Sequence, residues 1–459
     1  MTTILPSRHD TLTADLATAL QRGVRCAPRT LDPCDLWPSG TGARALTTAT
    51  SLEPLVVRTV ELPSSDARAT AALVDLLPPG SPLAWIRGGE GLVGWGEAAR
   101  LVVSGPDRFE RAVRWWEAMR LDAVVSDEVR LPGTGPVVFG SFAFADGPAS
   151  SVLVLPEVLL GRRGDRTWLT VIGSGEPNTA WPVPAARGPE HVRFSDGALS
   201  PDDWRAAVAT AVGRIKAGEL SKVVLARDLI ARADAAFDVR HLVRGLARRY
   251  PSCFTFAVEG LVGATPELLV ERQGDRVTSR VLAGTAWDAD AAARLLASAK
   301  DLEEHDYAVR SAFDAIAPYC TQLTAPAPTV LELANVAHLA TEVTGTLRGR
   351  ASLNGTATDA LSLAGLLHPT AAVCGTPTRR AGRVIGDLEG MDRGRYAGPV
   401  GWMDARGDGE WGIALRCAEV DGAHLRLFAG CGIVAGSDPA SEFAEAQAKF
   451  VAVREVLEA

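Results

Sequence analysis

The stretch CFTFAVEGLVGATPELLVERQGDRVTSRVLAGT, residues 253–285, decides the fold class. Its apolar and β-branched residues fall in short runs, so CFTFAVEG, LVGATPELLVER and DRVTSRVLAGT read as three consecutive strands. Gln273-Gly274-Asp275 reads as a hairpin turn between the last two, glycine supplying the backbone freedom that such turns need. Working downstream, residues 289–320 read as one long helix. GPVGWMDA (398–405), GEWGIALRCAEV (409–420) and AHLRLFAGCGIV (423–434) alternate too regularly to be helical and read as further strands. The terminus DPASEFAEAQAKFVAVREVLEA (438–459) reads as a helix with Asp438 as N-cap and Pro439 in its first turn.

Upstream, Pro201 and two acidic residues open a helix over 201–220, and the strand SKVVLARDLIA follows it. GSGEPNTAWPVPAARGPE (173–190) has no sustained period and reads as a linker, dividing the chain into 1–190 and 191–459. Before it, VVFGSFAFA (137–145), SVLVLPEVLL (151–160) and TWLTVI (167–172) read as strands and RFERAVRWWEAMR (108–120) as a helix. No repeat of short period is visible. Strands outnumber crossover helices, so a mixed or antiparallel α+β fold is expected rather than a doubly wound sheet.

The 459 residues carry 47 Lys and Arg against 55 Asp and Glu, a formal net charge of −8. That balance offers no basic field for a nucleic-acid backbone or an anionic membrane. The seven cysteines (Cys26, Cys34, Cys253, Cys320, Cys374, Cys417, Cys431) are scattered and never spaced as C-x-x-C, which argues against a disulfide framework or a zinc site and fits a reduced cytoplasm. No apolar run approaches the length of a membrane span, and the first residues lack the pattern of a secretory leader.

Gly89, Gly91 and Gly94 satisfy G-x-G-x-x-G after LAWI. The helix that a dinucleotide site requires would be cut short by Gly96 and Gly105-Pro106, so a glycine-rich hairpin is expected instead. H-E-x-x-H, G-x-S-x-G and the phosphate-binding G-x-x-x-x-G-K-[ST] are absent.

Subtler groups remain. Asp301 and Glu304 share one face of the long helix at i and i+3, as do Glu442 and Glu445 on the terminal helix, with Lys449 one turn on. Two such carboxylate pairs can supply oxygen ligands to a hard cation such as Mg²⁺, although each pair alone is also an ordinary solvated helix face. Lys222 lies in the apolar strand SKVVLAR, where a lysine loses its proton more readily, or else snorkels outward. Glu267 follows Pro266 at a strand start, where a desolvated carboxyl could act as an acid or simply face solvent. Arg416 and the glycines of GCGIV (430–434) could bind an organic anion, or serve only the strands that carry them. His338 and His368 sit in apolar stretches, and His368 reads as a core residue.

Over its carboxy-terminal half the chain resembles the chorismate-utilising enzymes. The blocks SKVVLAR, GATPELLV, VLAGT, SAKDLEEH, AHLATEVTG, LLHPTAAVCGTP, MDRGRYAGPVGW, ALRCAEV and AGCGIVAGSDPASEFAEAQAK occur in family order. VVFGSFAFA and VLVLPEVLL resemble the isochorismate synthase branch, with Ser141 in place of a glycine, and the long amino-terminal segment is similar to the menaquinone type. The resemblance implies large, mostly antiparallel sheets forming a β-sandwich core flanked by helices. By motif, Lys222 resembles the general base that activates water and Glu267 the general acid that protonates the departing hydroxyl. Ala283 stands where aminodeoxychorismate synthases carry a nucleophilic lysine.

Glu304 and Glu445 resemble direct Mg²⁺ ligands, with Glu442 and Asp301 reaching the ion through water; Asp301 departs from the family's usual glutamate. Arg416, Tyr396, Gly432 and Lys449 match contacts to substrate carboxylates, His338 matches a histidine near the ring, and Thr285 in VLAGT belongs with the substrate contacts. Ala372 in HPTAAV matches isochorismate synthases, where salicylate and anthranilate synthases tend to carry threonine. The expectation is a Mg²⁺-dependent isomerase acting on chorismate, with salicylate synthase, a siderophore-pathway isochorismate synthase, a noncatalytic chorismate-binding protein and a dinucleotide reductase as rivals. Because solvated lysine titrates near pH 10.4, Lys222 as a base is expected to have a depressed pKa.

Overall fold

Leu268–Gln273 pairs antiparallel with Arg276–Ala286 in the computed structural model, and Gly274 in the turn has φ +63°. The expected hairpin is therefore present. The structure describes residues 55–173, 179–286, 295–332, 337–349, 352–353 and 356–458. All of them fall within one unit, Glu53–Ala459.

Among the described residues, two large sheets carry the fold. In the first, of 13 strands, the order through the centre is Lys222–Arg232, His424–Ile433, Cys417–Asp421, Leu261–Thr265, Phe254–Val258, Leu83–Arg87, Glu90–Trp95, Val158–Arg163. In the second, of 10, it is Ala337–Leu347, Arg276–Ala286, Leu268–Gln273, Gly409–Ile413, Pro399–Asp404, Val137–Ser141, Ser151–Leu155, Ala99–Val103. Pairing is antiparallel except between Val56–Glu61 and Val124–Asp127. Both sheets draw strands from either side of residue 190, and one apolar cluster holds buried residues of both. Helices Pro201–Lys216, Val239–Arg249, Thr378–Leu388 and Pro439–Leu457 pack on the first sheet; Arg108–Leu121, Ala299–Ile316 and Ala360–Leu367 pack on the second. The α+β class with two large antiparallel sheets and flanking helices is thus observed.

Helix starts follow their caps. Ser200 accepts from the Asp203 N–H, Ser298 from Asp301 and Asp438 from Ser441, with Pro201 and Pro439 at first-turn positions that need no N–H donor. The long helix is shorter than its pattern suggests. Within the described residues it runs Ala299–Ile316, because Ser298 caps it and Pro318 leads into the strand that begins at Cys320; residues 287–294 lie outside the described residues. The glycine-rich motif forms the hairpin Leu83–Arg87 with Glu90–Trp95, turning at Gly88-Gly89. The linker reading touches residues 174–178, which lie outside the described residues; residues 179–190 carry no helix or strand.

The chief correction concerns strands that read as single runs. LVGATPELLVER leaves the first sheet at Thr265 and enters the second at Leu268, with Pro266-Glu267 between. Proline has no N–H to continue a ladder, so the run breaks there. GEWGIALRCAEV crosses the other way, through Ala414–Arg416, and SVLVLPEVLL crosses through Pro156-Glu157. A fourth crossing separates Glu90–Trp95 from Ala99–Val103.

The crossings come in pairs. The Ala264 N–H donates to the Arg416 carbonyl at 3.2 Å and the Ile413 N–H to the Glu267 carbonyl at 3.2 Å; in the other pair Glu157 donates to Trp95 at 3.1 Å and Ala98 to Leu155 at 2.9 Å. Behind this lies a distant, ungapped sequence repeat, PEVLLGRRGDR at 156–166 and PELLVERQGDR at 266–276, which a search for short periods does not reveal.

Candidate active site

The crossings at 265–268 and 413–417 deliver Glu267 and Arg416 to one cavity of about 230 Å³. Glu267 is only 5% exposed, and burial lifts its carboxyl to about 8, with Lys222, Arg416 and Lys449 pulling the other way. A carboxyl in that state keeps its proton at neutral pH. Lys222 reaches the same cavity from the start of Lys222–Arg232, half-buried where that strand pairs with Thr376 on one side, while neighbouring Val223 pairs with Ile433 on the other.

Arg416 sits at φ +47° at its crossing, a conformation imposed by the passage between sheets. Its Nη2 donates to His338 Nε2 at 2.9 Å, which leaves the proton on Nδ1 to be donated to the Gly284 carbonyl at 3.0 Å. Burial, with help from Arg416 and Lys449, pushes His338 down to about 3, so the ring stays neutral. Gly284 creates this acceptor: it sits at φ +76° in a bulge between Ala283 and Thr285, and a Cβ there would lie 3.3 Å from that of Asp301. Arg416 Nη1 is buried and has no hydrogen-bond acceptor among the described residues, an arrangement suited to an incoming carboxylate.

The terminal helix supplies the opposite wall. Lys449 Nζ donates to Glu445 Oε1 at 2.7 Å and to the Gly430 carbonyl at 2.8 Å. Burial works against its charge, but Glu445 outweighs that and the net shift is upward. Glu442 and Glu445 carboxylate atoms and Cys431 Sγ lie within 4.8 Å of one another. Burial pushes the Cys431 thiol far up, so it stays protonated and the anionic oxygens belong to the two glutamates. Such donors fit a hard divalent cation. Tyr396 stacks on Phe428 with centroids 5.0 Å apart, and its hydroxyl would meet a Cβ at Gly430 at 3.1 Å, so a side chain there would crowd the ring.

The cavity therefore brings together Lys222, His338 and Gly432 from strands, Glu267 and Arg416 from the crossings, Asp301, Glu442, Glu445 and Lys449 from two helices, and Ala372 and Tyr396 from turns. Thr285 occupies the strand position paired with His338, and Glu304 lies one turn beyond Asp301, but both side chains lie outside those described. His368 Nε2 bonds the Phe144 carbonyl at 2.8 Å, a structural role, with the residue half-buried rather than in the core. Sequence reasoning missed Arg393 and Glu389. Arg393 lines the cavity, and the two form a nearly solvent-free ion pair at 2.5 Å; the signal was their i, i+4 spacing.

A buried protonated carboxyl and a lysine in one small cavity, with cationic and carboxylate groups around them, suit acid–base chemistry on a small organic anion. A family model described as a chorismate binding enzyme matches residues 86–458, and the chain belongs to that family. It is 32% identical to the isochorismate synthase MenF of Bacillus subtilis over 383 residues, 75% of this chain and 80% of that protein. It is 40% identical to the isochorismate synthase DhbC of the same organism over 269 residues, 54% of this chain and 66% of that one. The crystal structure of the menaquinone-specific isochorismate synthase of Escherichia coli superposes with a TM-score of 0.71 at 24% identity, over 88% of this chain and 95% of that one, and so shares its fold.

Proposed function

We infer that the protein is an isochorismate synthase, an isomerase that converts chorismate to isochorismate with Mg²⁺. The reaction adds water at one ring carbon and releases the hydroxyl of another as the double bonds shift between them. It needs a base and an acid in one complex. Lys222 takes the proton from the attacking water, and Glu267 gives its proton to the departing hydroxyl. The observation that carries this reading is the burial of Glu267 in the cavity that Lys222 shares, which raises its carboxyl to about 8. Arg416, through its unpaired Nη1, and Lys449 bind substrate carboxylate, aided by Tyr396 and the open backbone at Gly432. His338, neutral, holds the Arg416 guanidinium in place.

The oxygen donors of Glu442 and Glu445, with Asp301 on the other helix that lines the cavity, would hold the Mg²⁺, and the motif resemblance adds Glu304 to the set. When bound, that ion supplies positive charge for a substrate carboxylate that the protein's net charge of −8 does not attract. The menaquinone type is proposed because the MenF relative matches this chain over most of the length of both proteins. Among the described residues no helix is long and apolar enough to cross a membrane, and the five described cysteines are buried and unpaired, which supports a cytoplasmic enzyme. Purified protein incubated with chorismate and Mg²⁺ tests the assignment: isochorismate accumulates without pyruvate, whereas pyruvate appearing with salicylate overturns it in favour of a lyase.

A further inference from the structure

Between the short strand Gly375–Thr376 and the strand Arg193–Asp196, one edge of Lys222–Arg232 has no neighbouring strand among the described residues. Backbone at both ends and side chains between them take its place: the Val224 N–H donates to the Cys374 carbonyl at 2.9 Å, and Trp204 Nε1 donates to the Ala226 carbonyl at 3.0 Å. Glu389 Oε1 accepts from the Ala226 N–H at 2.7 Å, and Arg393 Nη2 donates to the Val224 carbonyl at 2.9 Å. The same guanidinium donates through Nη1 to the Val373 carbonyl at 2.9 Å, beside Ala372, while Nε bonds Glu389 at 2.9 Å. Its Cζ lies 4.3 Å from the Phe144 centroid and 5.9 Å from that of Tyr396. Glu389 and Arg393 are 2% and 3% exposed. Burying such a pair is costly, and it adds little stability over an apolar filling. What it does provide is a planar fork that fixes two carbonyls on different segments at once.

We propose that Glu389 and Arg393 are positioning residues for the reaction: they lock the strand of Lys222, the turn of Ala372 and the ring of Tyr396 into one frame, and so set the reach of the base toward the substrate. Neither needs to touch the reacting atoms. The inference rests on the isochorismate synthase reading, because the frame matters only if Lys222 acts on a ring held against Ala372 and Tyr396.

Two variants test it. Arg393→Lys keeps the charge beside Glu389 but loses the fork; Glu389→Gln/Arg393→Met removes both charges while leaving an oxygen acceptor for Ala226. In each, kcat falls roughly 10- to 100-fold, as expected for a misplaced catalytic group, while KM for chorismate stays within about threefold and circular dichroism reports a folded protein. A folded variant that keeps wild-type kcat overturns the proposal. Loss of folding in both variants also overturns it, by assigning the pair a purely structural role. If the double variant alone fails to fold, Arg393→Lys decides. Wild-type protein that makes no isochorismate refutes the underlying reading instead, so the two failures are distinguishable.

Discussion

The two pairs of sheet crossings share a sequence repeat, run in opposite senses between the sheets, and only one has become a cavity for chemistry. At 266–276 the repeat buries Glu267 beside Arg416 and Lys222; at 156–166 its counterpart Glu157 is exposed. Opposite Glu267 the partner crossing carries Arg416 at φ +47°, and opposite Glu157 it carries Gly96 at φ +73°. The two hold different places, Arg416 last in its crossing and Gly96 first in its own, so one crossing sets a charge beside its glutamate and the other sets hydrogen there. A Pro-Glu crossing is therefore a structural device for changing sheets, and its carboxyl becomes an acid only where burial makes the charged form expensive.

Matched substitutions break or sharpen this contrast. The largest effect is expected from Glu267→Gln, which should reduce kcat/KM by roughly 10²- to 10⁴-fold, with Lys222→Ala similarly impaired. Glu157→Gln should leave turnover unchanged, and equal losses at the two glutamates, measured by steady-state kinetics, would show that the exposed site is not a bystander. Arg416→Lys keeps the charge but not the fork, and KM for chorismate should rise about tenfold or more; an unchanged KM would remove Arg416 from substrate binding.

The third contrast is in stability. A carboxyl raised from 4.5 to about 8 favours the folded state in its protonated form, so wild-type stability from this group is full below pH about 4.5 and is lost as pH rises through 8. Glu267→Gln should consequently gain in melting temperature relative to wild type across that window and level off above it. Glu157→Gln should show no such pH-dependent gain. The smallest effect belongs to Gly96→Ala, which places a side chain at positive φ with its Cβ 2.6 Å from the Glu157 carboxylate and should cost about 1–2 kcal/mol by thermal melts.

Much of the fold was legible because it is written in local signals. The GD hairpin turn, the Ser200 and Asp438 caps and the glycine-rich hairpin at 88–89 each follow from a few adjacent residues. The crossings were not, since LVGATPELLVER looks like one strand whether or not its two halves belong to one sheet. Pro266 was the available hint. For the site, motif resemblance named residues that the structure gathers into one cavity, but spacing alone could not bury Glu267 or pair Arg416 with His338 across 78 positions of chain. Glu389 and Arg393 escaped notice because an i, i+4 ion pair is usually a surface feature, and only packing shows this one to be sealed.

The most direct test is a titration of the Glu267 carboxyl itself, followed by isotope-edited infrared difference spectra of wild type against Glu267→Gln. A protonated carboxyl persisting through neutral pH and ionising near 8 is the predicted result. Ionisation in the range of an ordinary solvated glutamate would contradict its role as the acid.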